Sequence, residues 1–190
     1  MDFTNLVYLK VGNVRQQATY QLLDELQLFT HLADYQPILT GTVPLGIDID
    51  SSDLDICCEV YKLEQFAQRV QKYYGHFEEF TCWSSTHQSV STITISFQYQ
   101  HWPIEIFGQG LPTQQQYAYR HMLIEYRVLD LANARFKDKI IELKQDGVKT
   151  EPAFSQLLGL PDDSYEVLLN LEYFSEEQLH QLLDTKGYLK

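Results

Sequence analysis

Two segments of the chain repeat apolar residues at helical spacing. Within residues 13–34 they recur at intervals of three and four, which predicts one amphipathic helix whose apolar stripe covers a sheet. Residues 63–74 repeat the pattern and end before Gly75, a residue typical of helix ends. The first stripe consists of Val14, Ala18, Leu22, Leu26 and Phe29. The second consists of Leu63, Phe66, Val70 and Tyr73.

Other segments alternate with a period of two, which is typical of strands. Residues 53–60 place acids and Cys57 on one side and Leu54, Ile56, Cys58 and Val60 on the other. The short apolar run 37–40, which ends at Gly41, predicts an inner strand that enters a turn.

Three further strands are predicted before the pattern of apolar residues becomes helical. Residues 77–83 and 90–99 predict a hairpin with its turn at 84–88, and residues 101–107 predict a last strand that 108–112 closes.

Beyond Pro112 the pattern is helical, with segments at 114–132 and 136–145 followed by three shorter ones. Thr150, Asp163 and Ser175 are the predicted N-caps of the shorter segments. We therefore expect an α+β fold: a mixed sheet with flanking helices in residues 1–112, and a C-terminal helical region, 113–190, that packs on it as one compact unit.

The composition limits the function classes. The 190 residues are 44% hydrophobic, 13% aromatic and 21% charged, which excludes a disordered chain. Because 26 acidic residues outnumber 14 basic ones, the net charge of −12 disfavours nucleic acid as a bulk partner. A few arginines or a divalent cation can still hold a phosphate locally.

Cysteine usage and the N-terminus indicate a cytoplasmic protein. Cys57, Cys58 and Cys82 lack the spacing of a metal or redox motif, so we expect packing thiols in a reducing compartment. No basic region followed by an apolar run opens the chain, and no stretch approaches the roughly 18 apolar residues that a membrane span needs.

Two aspartates carry the clearest candidate chemistry. Asp53 and Asp55 are separated by one residue on a predicted strand, so their side chains point the same way and can reach one Mg²⁺ ion or a pair of them. Glu105 is the candidate third ligand, because a lone acid in an apolar strand is costly without a partner. Upstream, Gly41, Thr42 and Gly46 form a turn suited to close approach of phosphate.

The stretch GTVPLGIDIDSSDLDI, residues 41–56, resembles the signature of the DNA polymerase β-like nucleotidyltransferase superfamily. In that signature a Gly-Ser pair, a second Gly and a Ser-Asp-x-Asp strand follow one another at this spacing. The matching positions here are Gly41, Thr42, Gly46, Ser52, Asp53 and Asp55. Together with the segments PIEIFGQ and YRHMLIE, the chain resembles a small and largely uncharacterised bacterial branch of the superfamily.

The resemblance implies a nucleotidyltransferase-like sheet and a Mg²⁺-dependent reaction. Asp53 and Asp55 would bind the metal, the Gly41 turn would hold the triphosphate of a nucleoside triphosphate, and Glu105 would help to activate the acceptor. We expect transfer of a nucleotidyl group to a hydroxyl of a small molecule or a protein. The acidic surface argues against a polynucleotide acceptor.

Departures from the signature support an alternative function. Thr42 replaces the usual Ser, and Pro44 and Leu45 replace polar or basic residues. A non-catalytic nucleotide- or metal-binding module of the same fold, acting as a sensor or partner protein, is the second hypothesis.

Two other acid-rich patterns match less well. Asp48, Asp50, Ser52 and Glu59 fit positions of a calcium-binding EF-hand loop, but Asp53 stands where that loop needs Gly. An aspartyl-phosphate hydrolase needs a Thr where this chain has Cys57. We therefore expect surface or turn roles for Asp48, Asp50 and Glu59, since Glu59 lies roughly 13 Å along the strand from Asp55.

The helix after the sheet carries the last candidate. Arg120 and Arg127 share a face, and Arg120 is the first choice for a phosphate-binding cation. A solvated arginine and a core histidine at His121 are the competing structural interpretations.

Overall fold

The computed structural model describes residues 1–87, 90–161 and 164–190. The chain divides into two compact units. The first, here called the sheet unit, comprises Met1–Gly46 and Ser52–Tyr119, and the second, the helical unit, comprises Ile47–Ser51 and Arg120–Lys190. The predicted boundary after residue 112, and the packing of one region on the other, stay predictions.

The helices and strands follow the predicted order. The elements up to the last strand are α1 (Val14–Glu25), α2 (Leu28–His31), β1 (Ile38–Thr40), β2 (Leu54–Glu59), α3 (Leu63–Tyr74), β3 (Glu78–His87), β4 (Val90–Tyr99) and β5 (Trp102–Gln109). The later helices are α4 (Tyr117–Leu131), α5 (Ala134–Gln145), α6 (Thr150–Leu158), α7 (Ser164–Asn170) and α8 (Glu176–Thr185). Short 3-10 turns occur at Val7–Val11, Ala33–Tyr35, Thr113–Gln115 and Leu171–Tyr173.

The five strands form one mixed sheet in the order β1-β2-β5-β4-β3. β2 and β5 are parallel, whereas the other neighbouring pairs are antiparallel. The expected mixed α+β fold is confirmed. The prediction of an inner position for β1 was wrong: this strand is buried but lies at an edge of the sheet, because β5 takes the place on the other side of β2.

The apolar face of the sheet builds the core of the sheet unit. Leu54, Ile56 and Cys58 of β2 are buried together with residues of β4, β5 and the helices. On α3, Tyr74 stacks on Phe97 of β4 with ring centroids 5.2 Å apart. The predicted alternation along β2 is therefore confirmed, since its aliphatic side lies in the core and its acids lie on the opposite face.

The continuous helix predicted over residues 13–34 was wrong. α1 ends at Glu25, and Gln27 takes the left-handed conformation (φ +51°) before α2 begins. Val14, assigned to the buried stripe, is 86% exposed. Leu26, Leu28 and Leu32 are all buried, which one straight helix does not achieve with this sequence. On α3 the buried tyrosine is Tyr74, whereas Tyr73 is half-buried.

The hairpin is longer than predicted. Ser84, Ser85 and Thr86, which were assigned to the turn, belong to β3, and Gln88 lies outside the described residues. A hydroxyl pair across the ladder stabilises the extension, since the Ser85 and Thr92 hydroxyls lie 2.8 Å apart. Cys82 on β3 is exposed, so the prediction of a packing thiol was wrong there.

β5 also continues beyond its predicted end, through Gly108 and Gln109. A Cβ atom at Gly108 would lie 2.8 Å from side-chain atoms of Ile93 and Val60. Glycine is therefore required here by close packing inside the sheet, and not by a turn.

The helical unit has its own apolar interior. Ser175 caps α8 in a capping box with Gln178, as predicted. Thr150 is the first residue of α6, and the N-cap is Lys149, so that prediction was wrong. Asp163 lies outside the described residues. Within the described part of the chain, no helix is long and apolar enough to cross a bilayer. The buried apolar residues include Met122, Ile124, Val128, Phe136, Ile140, Phe154, Leu158, Leu179 and Leu183.

Candidate functional site

Parallel pairing of β2 with β5 brings two of the predicted acids together. Asp55 is the direct partner of Glu105 in the ladder, and both side chains are half-buried. Thr40 of β1 lies opposite Asp55, and Ser96 of β4 lies opposite Glu105. A row of four oxygen-bearing side chains therefore crosses the sheet on the face opposite the core. We call Asp53, Asp55 and Glu105 the carboxylate set.

Asp53 directly precedes β2 and is exposed. Burial raises the pKa of Glu105, and the negative charge of Asp53 raises it further. The carboxylates are therefore close enough to repel one another, and a bound cation would relieve that repulsion.

Gly41, in the upstream turn, lies next to the Asp55 carboxylate of the carboxylate set. Its φ of +73° lies in the left-handed region that favours glycine. A Cβ atom at this position would collide with the Asp55 carboxylate oxygen Oδ2. Thus the absence of a side chain at Gly41 leaves the space in which the Asp55 carboxylate lies.

The other predicted turn residues are joined by hydrogen bonds. The Thr42 hydroxyl donates to Ser52 Oγ at 3.5 Å, and Ser52 is buried. The Gly46 amide donates to the Val43 carbonyl at 3.0 Å, and Gly46 has a φ of +64°. The turn and the residue before Asp53 therefore contact one another.

Sequence reasoning missed two residues of α1 that support this region. Gln16 Nε2 donates to the carbonyls of Val43 and Pro44 at 2.9 and 3.0 Å. Arg15 donates from Nη2 to the Ser52 carbonyl at 3.3 Å, and its guanidinium lies 4.1 Å from the ring centroid of Trp102. The sequence carries only one local signal for either residue, the Asn13-x-x-Gln16 capping box.

Arg120 belongs to the helical unit, where it forms an ion pair. Its guanidinium donates to both carboxylate oxygens of Glu172, at 3.1 and 2.5 Å. This hydrogen bonding lowers the pKa of Glu172. Arg127 on the same helix donates to backbone carbonyls of Leu171, Glu172 and Phe174. Both arginines therefore have structural partners, and phosphate binding by Arg120 stays a prediction.

Glu59, Asp50 and Cys57 of the same motif differ in their surroundings. Glu59 is half-buried at the end of β2 opposite Gln109, and Asp50 is exposed. Cys57 lies on the acid face but is buried, and burial raises the pKa of its thiol to about 12. It is therefore a protonated packing residue at neutral pH.

The donor set suits a hard cation. Three carboxylates supply oxygen ligands, which Mg²⁺ prefers, and its remaining positions are commonly filled by water and phosphate. Among the described residues, however, the group of three whose ligand atoms lie within 4.8 Å of one another is His121, Glu125 and Glu151, not the carboxylate set. At least two ligand atoms of the carboxylate set are therefore more than 4.8 Å apart.

Residues 21–171 match the model of the family described as domain of unknown function DUF4269, and the chain belongs to that family. No curated protein matches the chain.

Solved structures that match this chain include a poly(U) polymerase and an RNA terminal U-transferase. A Cid1 poly(U) polymerase structure matches with a TM-score of 0.52 and 17% identity, covering 83% of this chain and 52% of that one. A cytoplasmic RNA terminal U-transferase matches with a TM-score of 0.51 and 17% identity, covering 77% and 48%. Cid1 with Mg and 3'-dATP matches with a TM-score of 0.50 and 16% identity, covering 80% and 46%.

These matches show the nucleotidyltransferase fold. The chain spans about half the length of the solved structures it matches. Since one of those structures is of an RNA terminal U-transferase, the expectation that nucleic acid is disfavoured finds no support in these matches.

Proposed function

We propose that this DUF4269 member transfers a nucleotidyl group from a nucleoside triphosphate to an acceptor hydroxyl, with Mg²⁺. The observation that carries the proposal is the register of β2 and β5, which sets Asp55 directly opposite Glu105, with Asp53 just before the strand. The shared fold of Cid1 and the terminal U-transferase supports it.

Each residue of the carboxylate set has a role in this proposal. Asp53, Asp55 and Glu105 hold one or two Mg²⁺ ions, which neutralise phosphate charge when bound. Glu105 or Asp55 accepts the proton of the acceptor hydroxyl. The hydroxyl oxygen then bonds to the α-phosphorus, the bond from that phosphorus to the bridging oxygen breaks, and pyrophosphate leaves.

In the same proposal, the turn that begins at Gly41 binds the triphosphate. Gly41 and Thr42 offer backbone N–H groups, Gly46 holds the turn through its hydrogen bond to Val43, and Ser52 holds the Thr42 hydroxyl. Arg15 lies beside Ser52 and supplies a cation in the same unit. Arg120 remains a further proposed phosphate contact.

We propose a hydroxyl of a small molecule or a protein as the acceptor. Because the structural matches include a poly(U) polymerase and an RNA terminal U-transferase, an RNA 3′-hydroxyl belongs in the same assay panel. A cytoplasmic location and a place in a bacterial branch of the superfamily are parts of the same proposal.

The test is a thermal-shift panel of the four nucleoside triphosphates with and without Mg²⁺, followed by a pyrophosphate-release assay over acceptors. Ligands that bind the native state raise the melting temperature by mass action. We expect a Mg²⁺-dependent shift for wild type that Asp55→Asn abolishes. Glu59→Gln is the matched control, because Glu59 lies on the same strand and face, four residues away.

If Asp55→Asn keeps both Mg²⁺-dependent nucleotide binding and transfer, the proposed mechanism is wrong. Equal losses of Mg²⁺-dependent nucleotide binding in Asp55→Asn and Glu59→Gln would indicate a general effect of removing negative charge from β2.

A second candidate, a non-catalytic nucleotide-binding module, is favoured by the turn itself. Pro44 is buried there, where the superfamily has polar or basic residues, and the Thr42 hydroxyl donates to Ser52. Calorimetric nucleotide binding with no pyrophosphate release from any acceptor would support this module. Steady release would eliminate it.

A further inference from the structure

A second group of metal-binding side chains lies in the helical unit, and the proposed transfer reaction does not use it. His121 and Glu125 are four residues apart on α4, so they share one face of the helix. Glu151 lies in the first turn of α6. One ligand atom from each residue lies within 4.8 Å of the others. We call these three residues the His-Glu-Glu cluster.

The cluster is deeply placed. His121 is 6% exposed and Glu125 is 3% exposed, whereas Glu151 is half-buried. A buried carboxylate is costly unless a cation or hydrogen-bond donors compensate for its desolvation. A bound cation would therefore offset part of the cost of burying the Glu125 carboxylate.

Charged groups near Glu125 act on its pKa in opposite directions. Burial and the charge of Glu151 raise the pKa of Glu125 well above its ordinary value, and Lys144 opposes this rise. Lys144 is itself buried and donates to the Ile47 carbonyl at 2.9 Å. Burial also lowers the pKa of His121, which favours the neutral imidazole that binds metals.

We propose that His121, Glu125 and Glu151 bind one divalent transition-metal ion, of the Zn²⁺ or Mn²⁺ class. An imidazole nitrogen with two carboxylates suits these ions, whereas Mg²⁺ and Ca²⁺ prefer oxygen ligands alone. Water would complete the coordination.

The spacing needs little adjustment. Ligand atoms bound to one Zn²⁺ at about 2.1 Å lie at most about 4.2 Å apart. The three ligand atoms already lie within 4.8 Å of one another, so small side-chain rotations can bring them to a bound geometry.

The experiment uses the full chain after chelator treatment and removal of the chelator. Zn²⁺ or Mn²⁺ is titrated by calorimetry and in a thermal-shift assay, with Mg²⁺ as the contrasting ion. Glu151→Gln and Glu125→Gln remove one ligand each while keeping side-chain size. Glu166→Gln is the matched control, because Glu166 is exposed and acts on His121 only through its charge.

We expect one Zn²⁺ or Mn²⁺ ion to bind per wild-type chain and to raise its melting temperature. Affinity should fall at least tenfold in Glu151→Gln and in Glu125→Gln, and stay within about twofold of wild type in Glu166→Gln. Because Glu151 is half-buried, its variant remains informative even if Glu125→Gln does not fold.

Absence of binding by wild type would overturn the site, and so would equal binding in all three variants. In either case Glu125 is a neutral core carboxyl that needs no metal. Asp55→Asn separates this proposal from the transfer reaction, because that variant should lose Mg²⁺-dependent nucleotide binding and keep the Zn²⁺ or Mn²⁺ shift.

Discussion

The carboxylate set and the His-Glu-Glu cluster each join three metal-ligand side chains, but in opposite surroundings. Asp53 is exposed and Asp55 and Glu105 are half-buried, whereas His121 and Glu125 are buried. The first set consists of oxygen ligands on paired strands, and the second includes an imidazole on a helix. Exposure suits exchange of ions with a phosphate substrate, whereas burial suits an ion that stays bound.

The free-energy cost of a charged carboxylate depends on its surroundings more than on its neighbours in sequence. Burial is the largest cause of the raised pKa at both Glu105 and Glu125, but only Glu125 is almost fully enclosed. We therefore expect substitutions in the carboxylate set to change activity, and substitutions in the His-Glu-Glu cluster to change stability.

The largest effect is expected from Glu105→Gln. Loss of this carboxylate removes a proposed metal ligand and proton acceptor, so transfer should fall about 100-fold or more. The melting temperature should not fall, because burial already disfavours the charged form. Ser96→Ala, at the neighbouring position on β4, is the control, and pyrophosphate release is the measurement. Comparable activity in the two variants would contradict the assignment of Glu105.

Gly41→Ala should lose both stability and Mg²⁺-dependent nucleotide binding. A positive φ costs a residue with a Cβ atom about 1–2 kcal/mol, and the new atom would displace the Asp55 carboxylate. Gly147→Ala is the matched control, since Gly147 has a φ of +87° with open space around a Cβ atom. Chemical unfolding and nucleotide titration separate the two effects. If Gly41→Ala and Gly147→Ala bind nucleotide equally well, nucleotide binding does not depend on the space that Gly41 leaves for the Asp55 carboxylate.

Glu125→Gln should stabilise the metal-free protein by about 1 kcal/mol at neutral pH, because it removes a buried carboxyl whose charged form is disfavoured by burial. The folded pKa is raised, so the penalty is absent below the ordinary value of 4.5 and grows as the pH rises above it. The titratable groups that face Glu125 are His121, Lys144 and Glu151. Urea unfolding at several pH values measures the difference. A variant less stable than wild type at pH 7 would show that the Glu125 carboxylate is well compensated.

The smallest effect is expected from Glu172→Gln, about 0.5–1 kcal/mol, because the side chains of the Arg120–Glu172 pair are about a quarter exposed. Arg120 lowers the pKa of Glu172, so this stability is present above the ordinary value of 4.5 and is lost as the pH falls below it. Arg120→Gln should cost a similar amount. If Arg120→Gln also weakens nucleotide binding and Glu172→Gln does not, Arg120 has the predicted phosphate-binding role.

Much of the fold was predictable because its signals are local. The alternation along β2 and the limits of α3 follow from periodicity within a few residues, and both are confirmed. The break at Gln27 and the edge position of β1 were not predictable, since both depend on packing between distant elements.

The sequence by itself determined the spacing of Asp53 and Asp55 and the presence of Gly41 before them, because these features lie within one strand and one turn. Only the tertiary structure decided that Asp55 lies opposite Glu105, since strand register depends on pairing across fifty residues of chain. It alone brought Glu151 to His121 and Glu125, because no periodicity connects two helices. Local sequence identified Asp53 and Asp55 as candidate ligands, and tertiary packing determined which side chains lie close together.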